Sequence, residues 1–317
     1  MKEKILITGG SGMVGYAFTS IEKKYPQFEF ISISSKDYDL TIEWDCKKMF
    51  EDIKPDYVIH LAAKVGGVKG NTDYVADFFR DNILMNTNVL HCSYLYKVKK
   101  CVSFLSTCIY PMANYVNYPL TEEQLHMGPP HPSNFGYGYA KRMLDVQSRA
   151  YRQQHGCNFV TAVPNNLYGE NDNFDLENSH VVPGLIRKFH EANLNGKKEV
   201  VLWGNGSPLR EFTYSADIAE DIMFILLKYD EVEPINIGNS TEECSIIDLA
   251  NIISNAIGYD GNIVWDESKP AGQFRKPFST SKFRSRYRNE KYTSLETGIK
   301  NTCNWFLQNY PNVRGKS

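Results

Sequence analysis

The sequence has no long hydrophobic run, no cysteine pair at a zinc-binding or redox spacing, and no excess of charge of either sign. Its 35 lysines plus arginines nearly balance 37 aspartates plus glutamates, which gives a formal net charge of −2 over 317 residues. Such a balance supplies no global field that would recruit nucleic acid or an anionic membrane surface. We therefore predict partners of neither kind, and any anionic ligand must be held by a local site.

The cysteines are odd in number and lie far apart in the sequence. There are seven: Cys46, Cys92, Cys101, Cys108, Cys157, Cys244 and Cys303. Without a C-x-x-C motif they indicate no structural metal and no disulfide framework, so we expect reduced thiols. The chain also begins on a strand pattern with no signal-peptide features, and we expect a cytoplasmic location.

The first half of the chain alternates short β-branched runs with helical patterns, which is typical of a parallel sheet covered by helices. The segments are 4–8, 13–24, 28–34, 44–53, 57–61, 74–96, 101–105, 137–155 and 159–163. This pattern predicts an α/β fold with a doubly wound parallel (Rossmann) sheet over residues 1–165. The proline-rich and glycine-rich stretch 111–134 is long for a connection, and such loops often border a site.

After residue 165 the pattern becomes irregular and its elements are shorter. The predicted elements are 181–194, 200–203, 216–227, 236–238, 246–257 and 262–265. We interpret 166–317 mainly as a smaller α/β substrate lobe that closes over the carboxyl edge of the first sheet, where doubly wound folds bind ligands. Part of 212–240 is expected to return to the first domain.

A glycine-rich turn directly follows the first predicted strand and opens a helical pattern. Its sequence is Thr8-Gly9-Gly10-Ser11-Gly12-Met13-Val14-Gly15. Glycines at this spacing let the backbone approach a pyrophosphate, whose charge then lies on the helix N-terminus. The alternative is a purely structural turn, but the position at the first strand-to-helix junction favours a dinucleotide site.

The end of the second predicted strand indicates which dinucleotide binds. An acidic residue there would grip an unmodified ribose, whereas this chain has Ser34, Ser35 and Lys36. Ser35 and Lys36 could bond a ribose phosphate, so we predict NADP(H). The alternative for Lys36 is an ordinary solvated surface charge.

Tyr137 and Lys141 are four residues apart at the start of a predicted helix, so both project from one face. An ammonium in that place is expected to pull a tyrosine down from its ordinary pKa of about 10 toward acid/base work. The spacing recurs elsewhere in the chain, but only here is it accompanied by a hydroxyl, Ser106, just after a predicted strand. Ser106 could share a substrate oxygen with Tyr137.

The chain resembles the short-chain dehydrogenase/reductase family, in its extended form that acts on sugar nucleotides. The resemblance is carried by the glycine loop, the serine at the end of the strand and the Tyr-x-x-x-Lys motif. Within this family, the chain is most similar to the GDP-4-keto-6-deoxy-mannose 3,5-epimerase/4-reductases. The segments that carry this likeness are 60–63, 62–67, 106–111, 134–143, 172–174, 178–183, 203–212 and 272–274.

The resemblance implies a full set of site residues and a homodimer. Cofactor contacts are expected from Gly9, Gly10, Ser11, Gly12, Met13, Val14, Gly15, Ser35, Lys36, Asp39, Leu40, Leu61, Ala62, Ala63, Leu105, Lys141, Pro164, Asn166, Leu167 and His180. Contacts to the GDP-sugar are expected from Lys188, Trp203 and Arg210, with Lys276 as a weaker candidate.

Cys108 and His180 suit the inversion of two sugar carbons. A ketone at carbon 4 acidifies the protons on carbons 3 and 5, and a thiol and an imidazole can both exchange protons near neutral pH. The resemblance implies that Cys108 is the base and His180 the acid. Reduction of carbon 4 with NADPH, assisted by Ser106, Tyr137 and Lys141, would then complete GDP-L-fucose.

Some features leave alternatives open. Cys108 could be a small core side chain and His180 a helix cap. Lys188 or Arg210 could be an ordinary surface cation, and Trp203 could be core packing. Ala271 replaces the usual acid of the family, and Asn165 replaces a usual threonine. Another sugar-nucleotide epimerase or dehydratase shares the fold, and a non-catalytic NADP(H)-binding relative is the alternative from a different class.

Overall fold

A computed structural model describes residues 2–269, 274–287 and 292–316 of the chain. The strands are β1 (Glu3–Thr8), β2 (Phe28–Ile33), β3 (Tyr57–His60), β4 (Lys100–Phe104), β5 (Phe159–Pro164), β6 (Asn166–Tyr168), β7 (Glu199–Trp203), β8 (Leu209–Arg210), β9 (Phe212–Tyr214), β10 (Ile235–Ile237), β11 (Cys244–Ser245) and β12 (Asn262–Asp266). The helices are α1 (Met13–Ile21), α2 (Glu43–Ile53), α3 (Val68–Asp73), α4 (Val75–Leu95), α5 (Phe135–His155), α6 (Val181–Leu194), α7 (Ser215–Lys228), α8 (Ile246–Ile257), α9 (Ser281–Arg286) and α10 (Leu295–Asn309). Within these ranges no helix has the length and apolar character needed to cross a bilayer.

Six strands form one parallel sheet in the order β10-β5-β4-β3-β1-β2. Strands β4 and β5 are buried along their whole length, as expected for strands covered on both faces. The register pairs Thr8 with His60 and His60 with Ser103, so the carboxyl ends of β1, β3 and β4 meet at one edge. The sheet confirms the predicted doubly wound fold.

Helices cover both faces of this sheet with separate hydrophobic cores. On one face α2, α4 and α5 bury side chains such as Phe50, Leu90 and Leu144. On the other, α1 and α7 bury Phe18 and Ile222. Full burial of each such side chain contributes about 1.5–3 kcal/mol. The two layers fix the carboxyl edge of the sheet as a rigid platform.

The remaining elements build a smaller lobe with its own core, in which α6, α8 and α10 contribute Phe189, Ile253 and Phe306. Strand β7 pairs in parallel with β12. Between them in sequence, α7 packs against α1 and β10 joins the edge of the six-stranded sheet beside β5. The domain boundary after residue 165 stays a prediction.

Several local boundaries differ from the sequence expectation. Strand β4 ends at Phe104, and Leu105 still donates its N–H to Ala162 O at 2.8 Å, so Ser106 follows one residue beyond the ladder. Helix α5 begins at Phe135, which places Tyr137 inside its first turn. The loop 111–134 contains three short 3₁₀ turns.

Candidate active site

The glycine loop between β1 and α1 is shaped as a cradle that no larger side chain would fit. Gly9 has φ of +72°, and a Cβ there would lie 2.8 Å from Ala62 N. A Cβ on Gly15 would lie 2.5 Å from the Cα of Gly10. Gly12 is the N-cap of α1 and has no side chain with which to cap this helix terminus. The backbone N–H groups of this helix N-terminus are therefore available to an anion, and the pyrophosphate contact stays a prediction.

A cavity of about 720 Å³ opens directly over this loop. The predicted cofactor residues that line it are Gly9, Ser11, Gly12, Met13, Val14, Gly15, Ser35, Asp39, Leu40, Leu61, Ala62, Ala63 and His180. Those outside the lining are Gly10, Lys36, Leu105, Lys141, Pro164, Asn166 and Leu167. The volume and lining fit a dinucleotide, because such sites are concave and pre-formed.

The end of β2 places Ser34 and Ser35 in the lining of this cavity, with Lys36 next to them in sequence but outside the lining. Ser34 donates both its N–H and its hydroxyl to Asp37 Oδ2 at 2.8 Å. That backbone bond, with the hydroxyl bond and the Lys36 charge, lowers the pKa of Asp37. Ser35 and Lys36 are exposed. They leave room for a ribose phosphate at the end of β2.

Tyr137 and Ser106 face each other at the carboxyl edge of β4. Tyr137 is buried, and burial raises the pKa of its hydroxyl above the usual range; the nearby Cys108 raises it further, while a hydrogen bond with Ser106 lowers it. These three groups therefore lie together, as the sequence predicted for the hydroxyl pair. The arrangement keeps Tyr137 protonated and able to donate a proton.

Lys141 does not lower the pKa of Tyr137, contrary to the sequence expectation. Its ammonium is buried and donates to Phe104 O at 2.7 Å, and burial lowers the pKa of Lys141 to about 7. Burial is the largest influence on the pKa of both groups and favours the neutral form of each. The neighbour that Lys141 does affect is His60, whose pKa is lowered to about 3 by burial and by that charge.

Cys108 lies in a 3₁₀ turn that other elements hold in place. Its N–H donates to Ser106 Oγ at 3.3 Å, and Lys276 donates to Thr107 O at 2.9 Å. Burial lowers the pKa of Lys276; the Cys108 thiol acts in the opposite direction, and Arg210 adds to the lowering. Cys108 is half-buried. It is thus a half-buried thiol close to the Lys276 ammonium and the Tyr137 hydroxyl.

His180 is exposed and lines the cavity at the N-terminus of α6. His180 is the N-cap residue of α6, as the alternative reading expected, but its side chain makes no capping hydrogen bond. Asp172 lies nearby with 5% of its surface exposed. Burial raises the pKa of Asp172 to about 6, while His180, Asn173 N–H and Arg314 act to lower it. The imidazole is therefore free to meet a ligand with a buried carboxyl group close to it.

No hydrogen bond or ion pair of the described residues joins Cys108 to His180. Phe104 indicates how near they are: it lines the same cavity as His180, and it is the last residue of β4, four residues before Cys108. A ligand that reached from this cavity past the end of β4 would extend toward both groups.

The predicted substrate residues lie outside the cavity lining. Trp203 has 67% of its surface exposed, so the core-packing alternative is wrong. Lys188 and Arg210 are half-buried, and burial lowers the pKa of each. Ala271 and its neighbours at 272–273 lie outside the described residues. Lys188, Arg210 and Lys276 are suited to an anionic group, and the exposed ring of Trp203 is suited to an aromatic group.

Asn165 has a structural explanation. It donates to Asn239 O at 2.6 Å and accepts from Thr213 Oγ1 at 2.6 Å, so its amide is engaged on both sides. Asn166 similarly donates to Glu211 O at 2.8 Å.

Some cavity residues were missed by sequence reasoning. They include Lys64, Arg80, Asp81, Asp172, Asn173, Asn178 and Arg314. Asp81 forms ion pairs with Lys64 and Arg80, both at 2.7 Å. Asp172 and Asn178 belong to segments that carried the family resemblance, whereas nothing in the local sequence singles out Arg314.

Comparison with known proteins places this geometry in a family. Residues 5–238 match the model of the NAD dependent epimerase/dehydratase family. The chain is 42% identical to a GDP-L-fucose synthase of Dictyostelium discoideum, over 99% of this chain and 98% of that protein.

Two solved structures are also similar. A GDP-L-fucose synthetase of Naegleria fowleri bound to NADP has a TM-score of 0.93 and 42% identity, over 99% of this chain and 97% of that one. A GDP-mannoheptose C4 reductase of Campylobacter jejuni with NADP bound has a TM-score of 0.84 and 30% identity, over 96% and 98%. With the glycine cradle and the Ser106–Tyr137 pair, these matches show that the chain belongs to the NAD dependent epimerase/dehydratase family and, within it, to the GDP-L-fucose synthases.

Proposed function

We propose that this chain converts GDP-4-keto-6-deoxy-D-mannose to GDP-L-fucose by inverting carbons 3 and 5 and reducing carbon 4 with NADPH. The observation that carries the proposal is the grouping of Ser106, Cys108 and Tyr137 beyond β4, next to the cavity that His180 lines. A reductase needs only the two hydroxyl groups. The thiol and the imidazole supply what a double inversion requires in addition.

The described residues fit NADP(H). Its pyrophosphate would lie over Gly12 and the uncapped N-terminus of α1, and its ribose phosphate near Ser35 and Lys36. When bound, NADPH supplies the hydride that reduces carbon 4. The protein contributes orientation and the placement of charge.

Cys108 and His180 carry the two proton transfers of each inversion. Cys108 removes the proton that the neighbouring ketone has acidified, and His180 returns one on the opposite face of the ring. A well-placed acid or base contributes about 10² to 10⁴ in rate. The Lys276 ammonium lies close to Cys108, where it can contact the polar groups of the substrate.

Tyr137 and Ser106 serve the reduction. Tyr137 donates its proton to the oxygen on carbon 4, and Ser106 holds the same oxygen by a hydrogen bond. Lys141 lies one helical turn from Tyr137 and would hold the nicotinamide ribose. Its ammonium is buried and donates to the carbonyl of Phe104, a residue that lines the cofactor cavity.

The GDP portion needs cations, because the chain as a whole supplies no positive field. Arg210 can bind phosphate oxygens with its forked guanidinium, and Lys188 and Lys276 act as point charges. Trp203 exposes its ring for contact with the base. We assign the substrate diphosphate and guanine to these four residues.

The experiment that tests this function follows NADPH absorbance while GDP-4-keto-6-deoxy-mannose is added. One NADPH should be consumed for each GDP-L-fucose formed. Conversion without net loss of NADPH would favour a 4-epimerase or dehydratase of the same fold. Cofactor binding without turnover on a panel of keto sugars would favour a non-catalytic relative.

A homodimer and a cytoplasmic location complete the proposal. Helices α4 and α5 pack side by side and expose large apolar side chains, including Phe79, Leu84 and Val146. Two such helices from each subunit would bury these side chains against their copies, which removes apolar surface from water.

Substituting glutamate at both Phe79 and Val146 is expected to convert the dimer into a monomer at micromolar concentration, because the charges would be buried unpaired. Light scattering measures the mass. Leu194→Glu is the matched control, since Leu194 is 62% exposed on α6 and should leave the mass unchanged. A monomeric wild-type protein would contradict the dimer.

A further inference from the structure

The C-terminal segment after α10 returns to the cofactor cavity and is fixed there by backbone contacts. Val313 is buried, and Arg314 O accepts the N–H of Phe174 at 2.8 Å. Gly315 O accepts from the Arg187 guanidinium at 3.1 Å. Gly315 has φ of +81°, and a Cβ there would lie 1.9 Å from Asn173 Oδ1. These contacts therefore fix the backbone at Arg314 next to the cavity.

The guanidinium of Arg314 reaches the glycine loop. Arg314 lines the cavity, and its Nη1 lies 3.7 Å from the place where a Cβ of Gly12 would stand. Gly12 caps α1, so a permanent cation here lies beside the positive end of a helix. Two positive groups that lie next to each other on the lining of one cavity favour an anion bound by both.

Within the described ranges, no carboxylate supplies that anion at hydrogen-bond distance from Arg314. Among the described residues, no carboxylate forms an ion pair with Arg314 at 4.0 Å or less. The carboxyl group whose pKa its charge affects is that of Asp172, which also lines the cavity. Asp172 Oδ2 is buried and has no hydrogen-bond partner among these residues. The Arg314 side chain is thus held near a carboxylate yet directed at the helix terminus.

We propose that Arg314 binds the pyrophosphate of NADP(H) and holds it against the N-terminus of α1. The proposal rests on the cofactor assigned under the proposed function and adds a ligand from the far end of the chain. A guanidinium suits two phosphate oxygens because it donates two parallel hydrogen bonds. The pyrophosphate is favoured over the ribose phosphate because Gly12 marks the helix terminus, whereas Ser35 and Lys36 lie beyond β2.

The experiment measures the dissociation constants of NADPH and of NADH separately, by titration without any sugar substrate. Arg314→Ala should weaken both cofactors by the same factor, about 10 to 100, since both carry the pyrophosphate. Arg314→Lys should lose less affinity for both cofactors, because lysine keeps the positive charge although it cannot donate two parallel hydrogen bonds. Arg284→Ala is the matched control: Arg284 is exposed on α9, away from the cavity lining, and its loss should change neither constant.

Each outcome decides the proposal. Unchanged binding of both cofactors by a folded Arg314→Ala or Arg314→Gln protein would overturn it. A loss confined to NADPH would place the contact on the ribose phosphate and also overturn it. Thermal unfolding without cofactor should match the wild type, and the lysine variant provides a second test if the alanine variant is unstable. Because no sugar is present, equal weakening supports the proposal even in a chain that fails to epimerise, whereas wild type that binds neither cofactor overturns both proposals.

Discussion

Cys108→Ser is expected to lower GDP-L-fucose turnover by about 10² to 10⁴, the contribution of one well-placed proton-transfer group. A thiol ordinarily ionises near pH 8.5, whereas a serine hydroxyl does not ionise in the working range of the enzyme. The side chain is half-buried and the exchange changes little volume, so the fold should be retained. Turnover and the thermal unfolding midpoint are the two measurements.

Cys157→Ser is the matched control for this variant. Cys157 is also half-buried, but it precedes β5 and packs on the helix-covered core away from the site. Its replacement should leave turnover within a few-fold of the wild type. Near-normal turnover of Cys108→Ser would remove Cys108 from the mechanism, and loss in both variants would indicate a general thiol effect.

Tyr137→Phe is expected to lower the reduction of carbon 4 by about 10² to 10⁴ while exchange of protons on carbons 3 and 5 continues. Burial holds the Tyr137 hydroxyl protonated, and phenylalanine has no proton to donate to the developing alkoxide. NADPH oxidation reports the reduction. Incorporation of solvent deuterium into the keto sugar, measured by NMR, reports the exchange.

Tyr139→Phe controls for the loss of a hydroxyl on the same helix. Tyr139 is half-buried and packs against Phe135 and Arg142. The Tyr139→Phe variant should therefore keep both the reduction of carbon 4 and the exchange of protons on carbons 3 and 5. If Tyr137→Phe retained full reduction, another group would be the proton donor. If it abolished deuterium exchange as well, Tyr137 would serve the inversion too.

The main sheet and its long helices were predictable because their signals are local and periodic. Helices α6 and α8 were predicted with the bounds they have. The two-residue strands β8 and β11 were not predicted, because alternation cannot be recognised over so few positions. Helix α10 was missed despite a real signal, since Ser294 caps it by accepting from Thr297 N–H.

The candidate site divides in the same way. The glycine loop and the Tyr137–Lys141 pair are contiguous motifs, and the sequence predicts them directly. The pKa of Lys141 depends on how deeply tertiary packing buries it, which spacing alone does not reveal. Arg314 reaches Gly12 from the opposite end of the chain. The roles of the individual site residues stay predictions until the variants are measured.

The most direct test of the account is the reaction run in deuterated water with NADPH and GDP-4-keto-6-deoxy-mannose. We predict GDP-L-fucose that carries solvent deuterium on both carbon 3 and carbon 5, with one NADPH oxidised per molecule. A reduced sugar without deuterium at either carbon would mean that the protein only reduces carbon 4, as the name of its Campylobacter jejuni neighbour describes. That result would contradict the roles assigned to Cys108 and His180.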